Sequence, residues 1–177
     1  MRTAALLCFT ALLTALSGCK PAEPAAPYAP TSTMRELMQS IVDPSADFMW
    51  DSFAIIITAK GEEHKMPRTD EEWAQVRYRG VALVEATNLL LIPGRHVARP
   101  DEKADNPEFE RDPQVIETMI AQDRATFVKH ITDLRQAAQN ILAAVDARDL
   151  IAIDDTSEAL DKACEDCHMT YWYVPDK

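Results

Sequence analysis

Cys164-Glu165-Asp166-Cys167-His168 is the stretch of this 177-residue chain in which residue type and spacing together specify a chemistry. Two cysteines three apart fall on the same side of a helix, and the histidine after the second turns its imidazole toward that side. Cys-x-x-Cys-His is the attachment signature of c-type haem, with two thioethers to the vinyl groups and the imidazole as proximal iron ligand. Three other chemistries compete for these residues. A zinc site needs a second Cys or His pair, and His64, His96 and His130 form no paired spacing. A thioredoxin-like redox pair needs a βαβ context that the pattern lacks. A disulfide between Cys164 and Cys167 would strain a helix and close a trivial loop, so it gains little.

Composition narrows the function classes. The chain holds 18 Lys+Arg against 29 Asp+Glu, a formal net charge of -11, which argues against a general nucleic-acid binder. Its 4 glycines include no GxGxxG or GxxxxGK cradle for phosphates. Hydrophobic residues at 47% are enough for a core, and the length suits one domain.

The N-terminus reads as a targeting segment. After Arg2, Ala4 to Leu16 is almost wholly apolar, a run too short for a lasting membrane span but suited to a signal-peptide core. Leu16-Ser17-Gly18-Cys19 resembles the lipobox of bacterial lipoproteins, against the duller reading of a plain secretory signal with an incidental cysteine. The expected organisation is a signal peptide over residues 1–18, a lipidated Cys19, a Pro/Ala-rich linker over 19–31 and a four-helix haem-binding domain over 32–177. Cys8 leaves with the signal. Lys20, following the lipidated cysteine, implies release to the outer membrane, with the domain on the periplasmic side of the cell envelope.

The elements that must position the motif read as helices. Met34, Leu37, Met38 and Ile41 form one apolar stripe, and Asp43-Pro44 then interrupts it and restarts a helix carrying Phe48, Met49 and Trp50. Ile55 to Thr58 reads as a short strand or as buried helix, and Gly61 to Arg68 as a charged loop. Thr69 and Glu72 stand at capping-box spacing before a stripe from Trp73 to Leu91. Gly94 to Asp112 is expected as a long surface loop. Pro113 then opens one unbroken helical pattern to Val145, and a last helix runs from about Asp149 to Tyr173. The fold class expected is all-α, an antiparallel four-helix bundle with one core.

A Cys-x-x-Cys-His at the C-terminal end of a four-helix chain resembles the class II c-type cytochromes, the cytochrome c prime group. The resemblance spans roughly residues 32–174 and is concentrated in CEDCHMTYW. It implies one covalently attached haem c inside the bundle, with thioethers to Cys164 and Cys167 and proximal ligation by His168. Many relatives carry a basic residue four after the histidine, where Trp172 stands here. Family members divide into five-coordinate forms and low-spin forms with a methionine on the distal side. Met38 resembles the distal position, ahead of Met34, its neighbour on the same face, and of Met49 beyond Asp43-Pro44. The plain alternative is that Met38 only fills core. His130 reads as a surface residue, not a ligand.

The function expected is a monohaem one-electron carrier with His168 and Met38 on the iron, not an enzyme. Its partners would be redox proteins with basic docking surfaces, met by electrostatic steering, and the membrane through Cys19, with no nucleic acid. Relatives often dimerise through their first two helices, so a homodimer is an arrangement open to it. A five-coordinate haem protein binding or sensing NO or CO is the runner-up. A non-haem structural or thiol lipoprotein is the third reading.

Overall fold

The computed structural model describes residues 28–175. The signal peptide and the lipidation expected at Cys19 lie outside them. Six helices and one hairpin follow in order: α1 (Met34–Leu37), a π-helical turn (Met38–Val42), α2 (Asp43–Asp51), β1 (Ile55–Thr58), β2 (Gly61–His64), α3 (Asp70–Leu90), α4 (Pro113–Gln122), α5 (Arg124–Ala147) and α6 (Leu150–Tyr171). The fold is a four-helix bundle. Its four rods are α1–α2 taken together, α3, α5 and α6; α5 packs against both α3 and α6, and α2 against α3. Met49, Leu83, Leu90, Ile131, Ile141, Ile153 and Leu160 are fully buried between them. None of the helices among the described residues is long and apolar enough to cross a membrane.

The first rod differs from the sequence expectation in an informative way. A capping box starts it, with Thr33 Oγ1 accepting from Glu36 N at 3.1 Å and the Glu36 carboxylate accepting from Thr33 N at 2.8 Å. Asp43-Pro44 does not break it. Proline lacks the N–H of a helix interior and crowds the carbonyl four residues back. The rod absorbs this by widening one turn, so that Asp43 N bonds to Met38 O, five residues back. The wide turn begins at Met38.

Other boundaries moved for local reasons. Ile55–Thr58 is the short strand and not the buried helix, and it pairs with residues 61–64, expected as loop, in an antiparallel hairpin in register Ile55↔His64. Ile57 is 81% exposed, and the hairpin contributes little to the core. The pattern from Pro113 to Val145 is broken at Asp123, whose backbone leaves the helical region (φ -134, ψ 72). The Asp123 carboxylate accepts from Thr126 N at 3.0 Å and so caps α5. Arg148, at φ 52, closes α5 in a left-handed turn, and the Asp149 carboxylate caps α6 through Ile151 N and Ala152 N, both at 3.1 Å.

Residues 94–112 are not a free surface loop either. Arg95, Val97 and Ala98 are buried. His96 O and Val97 O accept from Met34 N and Arg35 N at 2.9 and 3.0 Å, satisfying donors that the first turn of α1 leaves open. Farther along, Arg111 N bonds to Trp172 O and Val174 N to Phe109 O, both at 2.8 Å. The segment thus ties the start of the first rod to the end of the last, and this is where the motif lies.

Candidate haem site

Helix α6 presents Cys164, Cys167 and His168 half-buried along one side, as the i, i+3, i+4 spacing requires. Met38, from the π-helical turn of the first rod, is half-buried opposite this side of the bundle core. Two cavities meet there. One of about 290 Å³ is lined by Met34, Arg35, Val97, Ile116, Ile120, Phe127 and Trp172 among others. The second, about 350 Å³, is lined by Val42, Ala46, Trp50, Ile131, Leu134 and Cys164 among others. Met38, Asp43, Cys167 and His168 line both. Each cavity lies near the low end of small-molecule sites, and the four residues common to both linings make the cavities neighbours. Met34, also considered on sequence grounds, lines only the first; Met49 is buried in the core and lines neither.

Burial controls the thiols. Desolvation pushes Cys167 up to about 11 and Cys164 up to about 12, the latter helped by the negative charges of Asp161 and Asp43. Both are therefore neutral thiols at physiological pH. A redox or zinc-binding pair works through thiolates stabilised by positive surroundings. Among the described residues, His, Cys, Asp and Glu form no cluster arranged to hold a metal ion by themselves. Asp43 is exposed as a residue, yet partial desolvation of its carboxyl raises its pKa, with His168 pulling the other way.

The surroundings of the motif include residues that the sequence reading left out. Arg35 is 8% exposed. Its Nη1 donates to Lys103 O at 3.1 Å, its Nη2 is buried without a partner, and its Cζ lies 5.6 Å from the centroid of the Trp172 ring. The signal was present: Arg35 stands three before Met38, one helical turn away on the same side. His130 is not a free surface residue. It is half-buried, lines the second cavity, and meets Tyr171 edge-on with centroids 5.8 Å apart. Thr170 Oγ1 donates to Asp166 O at 2.8 Å, which leaves it to accept from His130 Nε2 at 3.1 Å. Tyr171 packs in turn against Phe127 at 5.9 Å.

The donor set fits a covalently held haem. Two neutral thiols one helical turn apart suit thioether formation, an adjacent imidazole suits iron, and apolar walls on both sides suit a flat hydrophobic ring. The residues present would be Cys164 and Cys167 for attachment and His168 for the metal.

Comparison with known proteins bears on the same segment. The family model described as Cytochrome C' matches residues 104–172, less than half of the chain but containing all of α4, α5 and α6 and the whole motif. Members of that family carry a single covalently attached haem c. Among solved structures, the nitric oxide complex of a point mutant of cytochrome c prime from Alcaligenes xylosoxidans is similar at 18% identity. That match covers 82% of this chain and 98% of the other, with a TM-score of 0.46. No curated protein sequence matches.

Proposed function

We propose that this chain is a monohaem c-type cytochrome that carries single electrons, with its haem tethered by Cys164 and Cys167 and its iron held by His168 and Met38. The observation that carries this reading is the meeting of Met38 and His168, from the first and last rods, in the lining of the same two cavities. When bound, haem supplies a reversible one-electron change at iron. The chain does the rest. Cys164 and Cys167 fix the group to one helix, and His168 offers a nitrogen lone pair. Met38 offers a thioether, a soft ligand that favours the ferrous state relative to a second histidine. Ile116 gives the first cavity an apolar wall, and Ile131 and Leu134 give one to the second. With both positions filled, no site remains for substrate, so the role is a carrier's and not an enzyme's. The acidic balance of the chain (net charge -11) suits redox partners with basic surfaces. Lipidation at Cys19 would hold the domain on the periplasmic face of a membrane, the outer one in this reading.

A second reading is favoured by the apolar character of the first cavity: if Met38 only packs there, the iron is open to NO or CO beside Ile116, Ile120 and Phe127.

Spectra separate the readings. Expression in cells competent for haem attachment should give a haem-stained band on a denaturing gel, lost in Cys164→Ala/Cys167→Ala. An unstained wild-type band would sink both haem readings. The carrier reading expects a low-spin ferric spectrum with the far-red charge-transfer band of sulfur ligation, abolished in Met38→Ala. A high-spin spectrum with ready CO uptake by the wild type selects the gas-binding reading instead.

A further inference from the structure

The hairpin between α2 and α3 has two outer edges of opposite character. β2 carries Glu62, Glu63 and His64 and is followed by Lys65, the kind of charged edge that resists pairing with another strand. β1 reads Ile-Ile-Ile-Thr and carries no charge. Its one strand neighbour among the described residues is β2. Ile55 is 59% exposed and Ile57 81%.

The register tells which backbone groups are open. Lys65 N donates to Ala54 O at 2.9 Å, so Ala54 and Lys65 are a hydrogen-bonded pair. Such pairs alternate along an antiparallel ladder. The next is therefore Ile56 with Glu63, and the N–H and C=O groups of Ile55 and Ile57 point to the outer edge. A hairpin of two strands is marginal by itself, and further strands stabilise it.

Charge selects the occupant of that edge. With a net charge of -11, a second copy of the chain is repelled over most of its surface, but β1 carries no acidic residue. Exposed Asp51 precedes the strand and exposed Lys60 follows it. Antiparallel pairing of two copies brings the end of one strand to the start of the other, and so draws Lys60 of each copy toward Asp51 of the other.

We infer that two copies of this chain associate edge to edge through β1, antiparallel, about a two-fold axis at Ile56. Ile55 of each copy then pairs with Ile57 of the other, each pair exchanging both of its N–H···O bonds. The side chains of Ile55 and Ile57 from both copies share one face of the joined sheet. The sheet grows no further, because its remaining edges are the charged β2 of each copy. This contact joins sheet edges, not the helix faces that the family resemblance implies, and it does not depend on haem. It is small, so the dimer is weak and concentration-dependent.

Sedimentation of the full, haem-loaded chain in mild detergent should show a monomer–dimer equilibrium in the micromolar range. Ile57→Pro removes an N–H that the hairpin ladder does not use, so it should keep the fold and weaken the dimer about tenfold or more. Ile57→Lys, which sets like charges on the shared face, should weaken it too and carries the test if the proline variant misfolds. Ile56→Cys should be trapped by mild oxidant as a disulfide-linked dimer, since position 56 meets its own copy across the axis, and adding Ile57→Pro should abolish the trapping. A wild type that stays monomeric overturns the inference and leaves the edge to a different partner. A dimer equally tight in Ile57→Pro and Ile57→Lys overturns it and assigns association to another surface, and an Ile56→Cys chain that dimerises without cross-linking overturns it as well.

Discussion

The Arg35 guanidinium lies over the ring of Trp172, Cζ to centroid 5.6 Å, and joins the first turn of α1 to the residue that ends α6. The two residues are far apart in sequence, and the contact closes the end of the bundle at which the Cys-x-x-Cys-His motif sits. It also puts a cation where α6 itself supplies an aromatic.

Trp172→Leu should therefore do more than remove a half-buried aromatic. It deletes the stack on a desolvated cation, worth about 0.5–2 kcal/mol, besides its packing. Urea titration of the haem-loaded protein should show a loss of about 1–3 kcal/mol, with Trp172→Phe losing less because a weaker ring face remains. Equal losses for the two substitutions would show that the ring face contributes nothing.

The cap at Asp149 fixes where α6 begins. Its carboxylate accepts from both Ile151 N and Ala152 N. Asp149→Ala should cost about 0.5–2 kcal/mol, and Asp149→Asn should recover most of that. Thermal melts of the two variants check this, and two indistinguishable curves would argue against the cap.

Leu160 is fully buried and lies on α6 one turn before Cys164. Leu160→Ala should destabilise by about 2–5 kcal/mol through lost transfer energy and a cavity. By contrast, Ile57→Ala on the exposed hairpin should lie within about 0.5 kcal/mol of wild type. Chemical denaturation of both, side by side, tests whether the core runs where the bundle packing puts it.

In protein produced without haem attachment, the thiols should respond to pH in a definite direction. Their values are raised from 9.0 to about 11 and about 12, so the folded chain binds these protons more tightly than the unfolded chain does. The resulting stability is present below pH 9 and is lost as pH rises through 11 and 12. Iodoacetamide labelling of the folded chain should accordingly stay slow at pH 9, where an unfolded thiol is half ionised. Rapid labelling at pH 8 would show that the thiols are not buried as described.

Much of the fold was legible because its signals are local. The Thr69–Glu72 capping box and the apolar stripe from Trp73 to Leu91 needed only neighbours in the chain, and α3 begins and ends close to where they point. Departures arose where a local signal admits two outcomes. Asp43-Pro44 can start a helix or sit inside one, and the choice went to a widened turn because the rod gains more by packing through to Met49 than by breaking. Asp123 reads as a solvent-facing residue within a periodic run, and only its backbone shows that it divides α4 from α5. The polar, proline-bearing stretch 94–112 hides its role because its bonds to α1 are made by backbone carbonyls, which carry no residue signature.

The sequence by itself determined the reactive set: Cys164, Cys167 and His168 follow from spacing on one helix, and covalent neighbours cannot be rearranged by folding. It also determined that amphipathic helices would share a core. Only the tertiary structure decided what faces that set. Met38 shares its cavities, Arg35 arrives from the same rod with a buried and unpartnered nitrogen, and His130 turns inward to Thr170. These are relations between chain segments more than 30 residues apart, set by the packing of rods and the widened turn at Met38, and no period or spacing within one helix encodes them.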